Sequence, residues 1–298
     1  MILILGANGN VGTLLLERFV RSGVAAAGTL RRGRERPTIA GLTEWREVDL
    51  ERPPTLAHAL AGVDTVIWTP GVKLLPACIE VLEQADVAHV VVVSSASVHT
   101  RLESRGARAK RDAEARLRES RVRFTVIRPT MIYGNRRDRN LTRLLDWLER
   151  VPVFPMFGDG RALMQPVFIG DVVESLVRAL DRTPRGRFYD LGGAEPVSYR
   201  QLLDTAGAAL GVRPLLVPVP LGLSLAVVRG AGWLGLRALR DEQVLRLAED
   251  KVVDNTPIRA ELGIEPITFA EGIARQVAAR RASGHGTASV ELPGKVAS

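Results

Sequence analysis

A strand, a glycine turn and a helix follow one another at the start of the chain. Residues 2–5 (ILIL) are uniformly apolar, residues 6–12 read GANGNVG, and apolar residues then recur at helical spacing as far as Gly23. Glycines in such a turn let the backbone approach a pyrophosphate and let the helix pack closely on the strand. The free N–H groups of the helix N-terminus attract an anion. This context predicts a nucleotide-binding turn, with a structural turn as the alternative, and the predicted cofactor contacts are Gly6, Asn8, Gly9, Asn10, Val11 and Gly12.

Short apolar runs alternate with helical patterns through the first 130 residues. After the first run, further runs lie near 24–30, 64–68, 89–95 and 124–129. Repeated βα units imply a parallel sheet, and continuous apolar runs are typical of strands covered by helices on both faces. The predicted fold class is therefore α/β, a Rossmann-type doubly wound parallel sheet with a smaller, mostly helical C-terminal substrate region.

The domain boundaries follow from this alternation. Residues 1–135 are predicted to form the nucleotide-binding core. Later strands near 166–171 and 187–191 are predicted to complete the sheet. Residues 136–165 and 192–282 are predicted to form a substrate-binding or lid region, and residues 283–298 a flexible tail.

The net charge of +8 is concentrated in two places. Residues 31–36 carry +3 and residues 101–123 carry +5, which leaves 28 basic and 28 acidic residues elsewhere in the chain. An evenly balanced remainder argues against a general nucleic-acid-binding surface and in favour of two local functions.

Several other classes of protein are disfavoured by composition. The single Cys78 excludes an internal disulfide, and four scattered histidines form no zinc-type cluster, so no metal site is expected. The start of the sequence lacks the pattern of a secretory signal. The longest uncharged apolar run, 215–228, has 14 residues, short of the roughly 20 that a membrane-spanning helix needs. A cytoplasmic protein without a transmembrane segment is expected.

Basic residues follow the second predicted strand where NAD-specific sites place an acid. Arg31 and Arg32 come directly after Leu30, and no acidic residue occurs before Glu35. A guanidinium there suits a 2′-phosphate, so NADP(H) is favoured over NAD(H), with a solvated run of charges as the alternative. After the third strand, Asp49 and Leu50 are predicted to lie beside the adenine, with a plain turn Asp as the alternative for Asp49. After the fourth strand, Thr69, Pro70 and Gly71 are predicted to lie beside the pyrophosphate or ribose.

Four later motifs extend the pattern over most of the chain. They are VVVSSASV (91–98), Lys110 followed by Ala113-Glu114, RPTMIYG (128–134) and GDG…PVFIGDVV (158–173). Together with the glycine turn they resemble the extended, epimerase/dehydratase-like branch of the short-chain dehydrogenase/reductase superfamily. QPV (165–167) with DRN (138–140) is similar to its atypical members, which include a nucleotide-binding accessory subunit of mitochondrial complex I. The resemblance also implies cofactor contacts at Ser94, Lys110 and Pro129.

The resemblance implies a Ser, a Tyr and a Lys as catalytic residues, and the Tyr is missing. Ser95 matches the Ser, which also contacts substrate, and Lys110 matches the Lys, one of only four lysines beside 37 arginines. Gly106 stands four residues before Lys110, where the family has its Tyr. Hydride transfer to a carbonyl builds an alkoxide that must be protonated, so another acid is required. His99 and Tyr133 are the candidate substitutes, in the catalytic site or lining the substrate; the alternatives are a loop histidine and a packing tyrosine.

The substrate half departs from nucleotide-sugar-binding relatives. Where they carry a diphosphate-binding Arg, this chain has Met164, followed by Gln165, and both are predicted to line the substrate site. Arg161, or a group made of Arg136, Arg137 and Arg139, could compensate, and Asn135 and Asn140 are candidate polar contacts with surface-loop roles as the alternative. The apolar stretch 215–236 with Trp233 predicts a greasy lid or, alternatively, ordinary core packing.

Three functions fit these observations. The first is an NADPH-dependent oxidoreductase or epimerase of atypical mechanism acting on a carbonyl or hydroxyl of a small, hydrophobic molecule. The second is a nucleotide-binding structural or assembly protein without turnover, and the third is a sensor of the NADP(H) redox state. A homodimer through helices near 72–86 and 107–120 is the family-level expectation.

Overall fold

The computed structural model describes residues 1–41, 44–102, 104–135, 137–138, 141–151, 153–182, 186–220, 222 and 249–283. The predictions for Arg136, Arg139, Asn140 and Trp233, and those for the tail beyond Ser283, lie outside the described residues.

Strands and helices alternate along the described chain. The strands are β1 (Ile2–Leu5), β2 (Ala26–Leu30), β3 (Trp45–Glu47), β4 (Thr65–Trp68), β5 (His89–Val93), β6 (Phe124–Pro129), β7 (Ile132–Tyr133), β8 (Val153–Phe157), β9 (Leu163–Met164), β10 (Val167–Phe168), β11 (Arg187–Leu191), β12 (Val197–Ser198) and β13 (Leu215–Val219). The α-helices are α1 (Asn10–Arg21), α2 (Pro54–Ala59), α3 (Ile79–Gln84), α4 (Arg105–Glu119), α5 (Leu141–Arg150), α6 (Ile169–Arg182), α7 (Tyr199–Leu210), α8 (Thr256–Leu262) and α9 (Phe269–Ser283). Short 3₁₀ helices lie at Val72–Leu74, Pro76–Cys78 and Ala96–His99.

Seven parallel strands form the central sheet in the order β11-β6-β5-β4-β1-β2-β3. The chain order reverses between β1 and β4, which opens a crevice at the carboxyl ends of these two strands. This arrangement confirms the predicted doubly wound α/β fold.

The apolar strands supply both faces of the core. On β1, Leu3 and Leu5 belong to one buried cluster and Ile4 to another, and Val90 and Val91 of β5 divide in the same way. Successive side chains of a strand point to opposite faces, so a strand buried on both sides must be apolar throughout.

Two predicted elements differ from the structure. The strand expected near 166–171 is the two-residue β10, which pairs with β7 outside the central sheet, because α6 already begins at Ile169. The helix expected over 72–86 is divided into two 3₁₀ turns and the short α3, with Pro76 at the start of the second turn, where it cannot donate a backbone hydrogen bond. The strand β11 and the helix α4 form where they were predicted.

The second half of the chain mixes helices with small sheets. Beyond the central sheet, β7 pairs with β10, β9 with β12 and β8 with β13. Helices α5, α7 and α9 pack around Tyr133 and Phe168 in a third apolar cluster. No described helix is both long and apolar enough to cross a membrane. Cys78 is buried as a free thiol, and burial raises its pKa to about 11.

One buried carboxyl makes the stability pH-dependent. Asp171 is 5% exposed in the first turn of α6, accepts the Ile267 N–H at 3.1 Å, and has its pKa raised to about 6 by burial. The folded chain therefore binds this proton more tightly than the unfolded chain, so the group stabilises the fold below pH 4 and loses that effect as pH rises through 6.

We expect Asp171→Asn to remove this dependence, since the amide oxygen still accepts the Ile267 N–H. From pH 4 to pH 7 the unfolding free energy of the wild type should fall relative to the variant by about 2 kcal/mol. Urea unfolding across this range measures the difference. Parallel stability curves for the two proteins would contradict the role of Asp171.

Candidate functional site

The glycine turn is tightly folded between β1 and α1. Gly6 has a φ of +71° and its carbonyl accepts the Gly9 N–H at 2.8 Å. A Cβ at Gly12 would lie 2.4 Å from the Gly6 carbonyl oxygen, so the helix packs against the turn in a way that only glycine allows. The first turn of α1, at Asn10 and Val11, has no acidic residue, and its N-cap Gly9 has no side chain, so the first N–H groups face the crevice without a side-chain cap.

The end of β4 forms the other wall of the turn. Thr69 donates its hydroxyl to the Leu5 carbonyl at 2.7 Å, and a Cβ on Gly6 would lie 2.9 Å from both Thr69 Oγ1 and Pro70 Cγ. Gly71 then begins the 3₁₀ helix Val72–Leu74. The predicted residues after the fourth strand therefore lie beside the glycine turn.

The predicted adenine contacts have structural partners of their own. Asp49 accepts the Glu51 N–H at 3.2 Å in the turn that leads to α2. Leu50 belongs to the buried core, and its carbonyl accepts the Cys78 thiol. The structure thus places the Leu50 side chain in the core rather than at the crevice, while the role of Asp49 stays a prediction.

Arginines surround the crevice from two directions. Arg31 and Arg32 are exposed directly after β2, and the chain then turns at Gly33. An open depression of about 380 Å³ follows, lined by Asn8, Gly33, Arg34, Glu35, Arg36, Pro37 and Arg137. Sequence reasoning located this charged segment but did not single out Arg34 and Arg36, because charge composition alone does not say which side chains face the turn.

The segment after β7 reaches back to the glycine turn. Asn135 donates its amide to the Asn10 side-chain oxygen, and Arg137 donates to the Asn8 carbonyl at 3.0 Å. A second open depression, of about 650 Å³, includes Gly9 and is lined by Asn8, Asn10, Arg137, Asp138, Thr142 and Arg143. Asn135 and Arg137, expected at the substrate, thus lie at the predicted cofactor site.

Ser95, Ser97 and Lys110 meet after β5. Ser95 caps the 3₁₀ helix Ala96–His99 and donates its hydroxyl to Ser97 Oγ at 3.0 Å. Lys110 Nζ donates to the same Ser97 oxygen at 2.9 Å. The predicted Ser and Lys are therefore connected through Ser97, which sequence reasoning missed although it lies in the same SSAS run.

The position of the absent tyrosine is open. Gly106 lies in the first turn of α4, is exposed, and no heavy atom lies within 4 Å of where its Cβ would be. Lys110 follows on the same helix face, since residues four apart are neighbours on a helix surface. No side chain of the described residues occupies this space.

His99 is held by a carboxylate that sequence reasoning missed. Its Nε2 lies 2.9 and 3.0 Å from the two oxygens of Asp190 at the end of β11, and the imidazole is 50% exposed. Arg128 of β6 lies 3.9 Å from the same carboxylate. These groups share the carboxyl edge of the sheet although 91 residues separate His99 from Asp190.

Ser94 belongs to a neighbouring buried ion pair. Its hydroxyl donates to Glu114 at 2.6 Å, and Arg128 Nε donates to both Glu114 oxygens at 3.1 Å. The Ser94 side chain therefore has a structural partner, and Pro129 is buried at the end of β6. Because Glu114 takes the Ser94 proton, the Ser94 hydroxyl could contact a cofactor only as a hydrogen-bond acceptor.

Three predicted substrate residues lie in the core instead. Tyr133 has no exposed surface, its hydroxyl is 3.5 Å from the Phe269 carbonyl, and burial raises its pKa well above the usual range. Met164 is buried against the same cluster. Gln165 donates to the Gly193 carbonyl at 2.8 Å and accepts the Val253 N–H at 2.9 Å, so its amide is already paired. None of the three is exposed to bind a small molecule.

Comparison with known proteins supports the site at the glycine turn. Residues 6–146 match the protein family described as NAD(P)H-binding. The alpha subcomplex subunit 9 of the mitochondrial NADH dehydrogenase [ubiquinone] of Arabidopsis thaliana is 26% identical over 147 residues, which is 49% of this chain and 36% of that subunit. This chain thus matches about a third of the length of the plant protein.

Other relatives match over nearly the whole length. The N-acetyl-alpha-D-glucosaminyl-diphospho-ditrans,octacis-undecaprenol 4-epimerase of Escherichia coli O157:H7 is 23% identical over 92% of this chain and 93% of its own. UDP-glucose 4-epimerase of Thermotoga maritima, solved with UDP-glucose, superposes with a TM-score of 0.73 at 17% identity over 95% of this chain and 99% of that one. The enzyme of the same name from Thermus thermophilus, solved with NAD, superposes with a TM-score of 0.70 at 20% identity over 94% of this chain and 98% of that one. The chain therefore has the Rossmann fold, its residues 6–146 match an NAD(P)H-binding family, and its relatives are epimerase/dehydratase-like, a combination consistent with the atypical branch of the short-chain dehydrogenase/reductase superfamily.

Proposed function

We propose that this protein is an NADP(H)-dependent oxidoreductase that acts on a carbonyl or hydroxyl of a small, apolar molecule. The observation that carries the proposal is the hydrogen-bonded series Lys110–Ser97–Ser95 at the carboxyl end of β5. In a doubly wound sheet, ligands bind outside these strand ends near the reversal of strand order. An ammonium and two hydroxyls there can orient and polarise a substrate oxygen.

The residues at the crevice fit a nicotinamide dinucleotide. Only glycine is accommodated at Gly12, and the N-terminus of α1 faces the crevice without an acidic side chain in its first turn. Those N–H groups would hold the pyrophosphate, and the arginines after β2 would hold a 2′-phosphate. When bound, the nicotinamide supplies or accepts the hydride.

His99 is the proposed proton donor in place of the missing tyrosine. Asp190 holds Nε2, which fixes the ring and leaves Nδ1 as the nitrogen that can exchange a proton. Ser95 and Ser97 would orient the substrate oxygen, while Lys110 lowers the energy of negative charge that develops there. This division of roles needs no phenol.

An apolar substrate is supported by the second half of the chain. Trp147, Leu215 and Val217 are exposed there, and Met164 stands where nucleotide-sugar-binding relatives carry an arginine. Arg161, the alternative phosphate-binding residue, is almost fully exposed beside Asp159. The E. coli relative acts, by its name, on a sugar diphosphate joined to a polyprenol, which is consistent with a partly apolar ligand.

The experiment is NADPH oxidation by the purified protein with a panel of aldehydes, ketones and quinones. We expect turnover, and we expect His99→Gln to lower kcat about tenfold to hundredfold because a general acid is lost. His58→Gln is the matched control, since His58 is an exposed histidine on α2 and should have no effect. Equal activity in the His99 variant would contradict the assigned proton donor.

A second candidate is a nucleotide-binding protein without turnover, and the open space at Gly106 favours it. It predicts that NADPH raises the melting temperature, as any ligand of the folded state does. NADPH consumption by the wild type would eliminate this candidate, and cofactor-dependent melting with no consumption across the panel would eliminate the first.

A further inference from the structure

A guanidinium from the segment after β7 lies on the glycine turn. Arg137 Nη1 donates to the carbonyl oxygens of Asn8 and Gly9 at 3.0 and 3.5 Å and to Thr13 Oγ1 at 3.1 Å. At least 124 residues separate Arg137 from these partners along the chain. The contact therefore belongs to the tertiary fold.

The charge of Arg137 lies beside the positive end of a helix dipole. The N-terminus of α1 is the positive end of a helix dipole, and its first turn contains no acidic residue. Within the described chain, Arg137 forms no ion pair, and the hydrogen bonds of its guanidinium all come from Nη1. The N–H groups on Nε and Nη2 are thus available for an anionic ligand, and their fork geometry matches two phosphate oxygens.

Asn135 connects Arg137 to the glycine turn and to α9 through hydrogen bonds. Its amide donates to the Asn10 side chain, and its side-chain oxygen accepts the backbone N–H groups of Arg137 and Asp138 at 3.0 and 3.1 Å. Its backbone carbonyl accepts Gln276 Nε2 of α9 at 3.3 Å. Residues 135, 137 and 138, which we name the clasp, connect the glycine turn with the substrate half.

We propose that Arg137 is a ligand of the pyrophosphate of the bound dinucleotide and that the clasp holds it there, an inference that rests on the proposed cofactor-dependent function. The pyrophosphate is favoured over the 2′-phosphate because the partners of Arg137 are in the glycine turn and the first turns of α1. Rossmann proteins bind the pyrophosphate at that position, whereas the ribose lies toward the end of the second strand.

The test is calorimetric binding of three probes to wild type and variants. NADPH and ADP-ribose carry the pyrophosphate, and 2′-AMP carries only the 2′-phosphate. We expect Arg137→Ala to weaken NADPH and ADP-ribose about tenfold to hundredfold, as for loss of a charge-assisted hydrogen bond, and to leave 2′-AMP unchanged. Arg213→Ala is the matched control: Arg213 is exposed and lines neither depression, and its removal changes the charge equally.

A second variant separates phosphate binding from packing of the turn. Arg137→Gln keeps the methylene stem and one amide donor but removes the charge, and its melting temperature without ligand shows whether the turn still packs as in the wild type. It should still lose affinity for ADP-ribose as Arg137→Ala does. If Arg137→Gln binds ADP-ribose as tightly as the wild type, the clasp is not a phosphate ligand.

The remaining outcomes distinguish this inference from the proposed function. Loss of 2′-AMP affinity with unchanged ADP-ribose affinity would overturn the pyrophosphate assignment. Loss of ADP-ribose affinity in Arg137→Ala, together with no turnover by the wild type, would support the clasp and contradict the oxidoreductase. A wild type that binds neither NADPH nor ADP-ribose would overturn both proposals.

Discussion

Gly12→Ala should lower the free energy of unfolding by about 2–4 kcal/mol, the range of severe overpacking. The new Cβ would lie 2.4 Å from the Gly6 carbonyl oxygen and 2.8 Å from the Ala7 Cα, and neither backbone atom can move without displacing β1 or α1. Displacing α1 disturbs Leu15 and Leu16, which are wholly buried against the sheet. Urea unfolding measures the loss, and calorimetry should show that dinucleotide binding is lost with it, because the first N–H groups of α1 shift.

Gly106→Ala is the matched control for this substitution. Gly106 is also in the first turn of a helix and does not adopt a positive φ, but its Cβ would meet no atom within 4 Å. The exchange should raise stability by less than about 1 kcal/mol, since alanine is the better helix former. Similar losses for the two variants would contradict a steric role of Gly12.

The sheet could be predicted from the sequence because burial on both faces leaves a local signal. The run VVVV at residues 90–93 of β5 is apolar at every position, so the strand is visible without knowledge of its neighbours. The glycine turn also leaves a local signal, since a side chain at Gly6 or Gly12 would collide with neighbouring atoms. The prediction of one helix over 72–86 was wrong, because Pro76 divides the segment although its apolar pattern continues.

The candidate site was predicted only in part, because its remaining members are joined by distant contacts. His99 was a candidate from its chemistry, but Asp190, which holds it, lies 91 residues away on β11. Arg137 was assigned to the substrate by its position in the chain, and its contacts with the glycine turn depend on how the second half folds. Tyr133 matched a family motif, yet its motif does not reveal that α9 covers it, with Gly272 close against the hydroxyl.

Gly106→Tyr, introduced together with His99→Gln, should raise turnover about hundredfold to ten-thousandfold over His99→Gln alone, the range that a positioned general acid supplies. The new phenol would enter open space one helical turn before Lys110, whose ammonium favours the phenolate and so lowers the pKa of the phenol. The measurement is NADPH oxidation with the same carbonyl panel. Gly106→Phe in the same background adds the ring without the hydroxyl and should stay at the activity of His99→Gln. An equal rise in both variants would show that the ring, rather than proton transfer, causes the change, and no rise in either would show that Gly106 does not face the reacting oxygen.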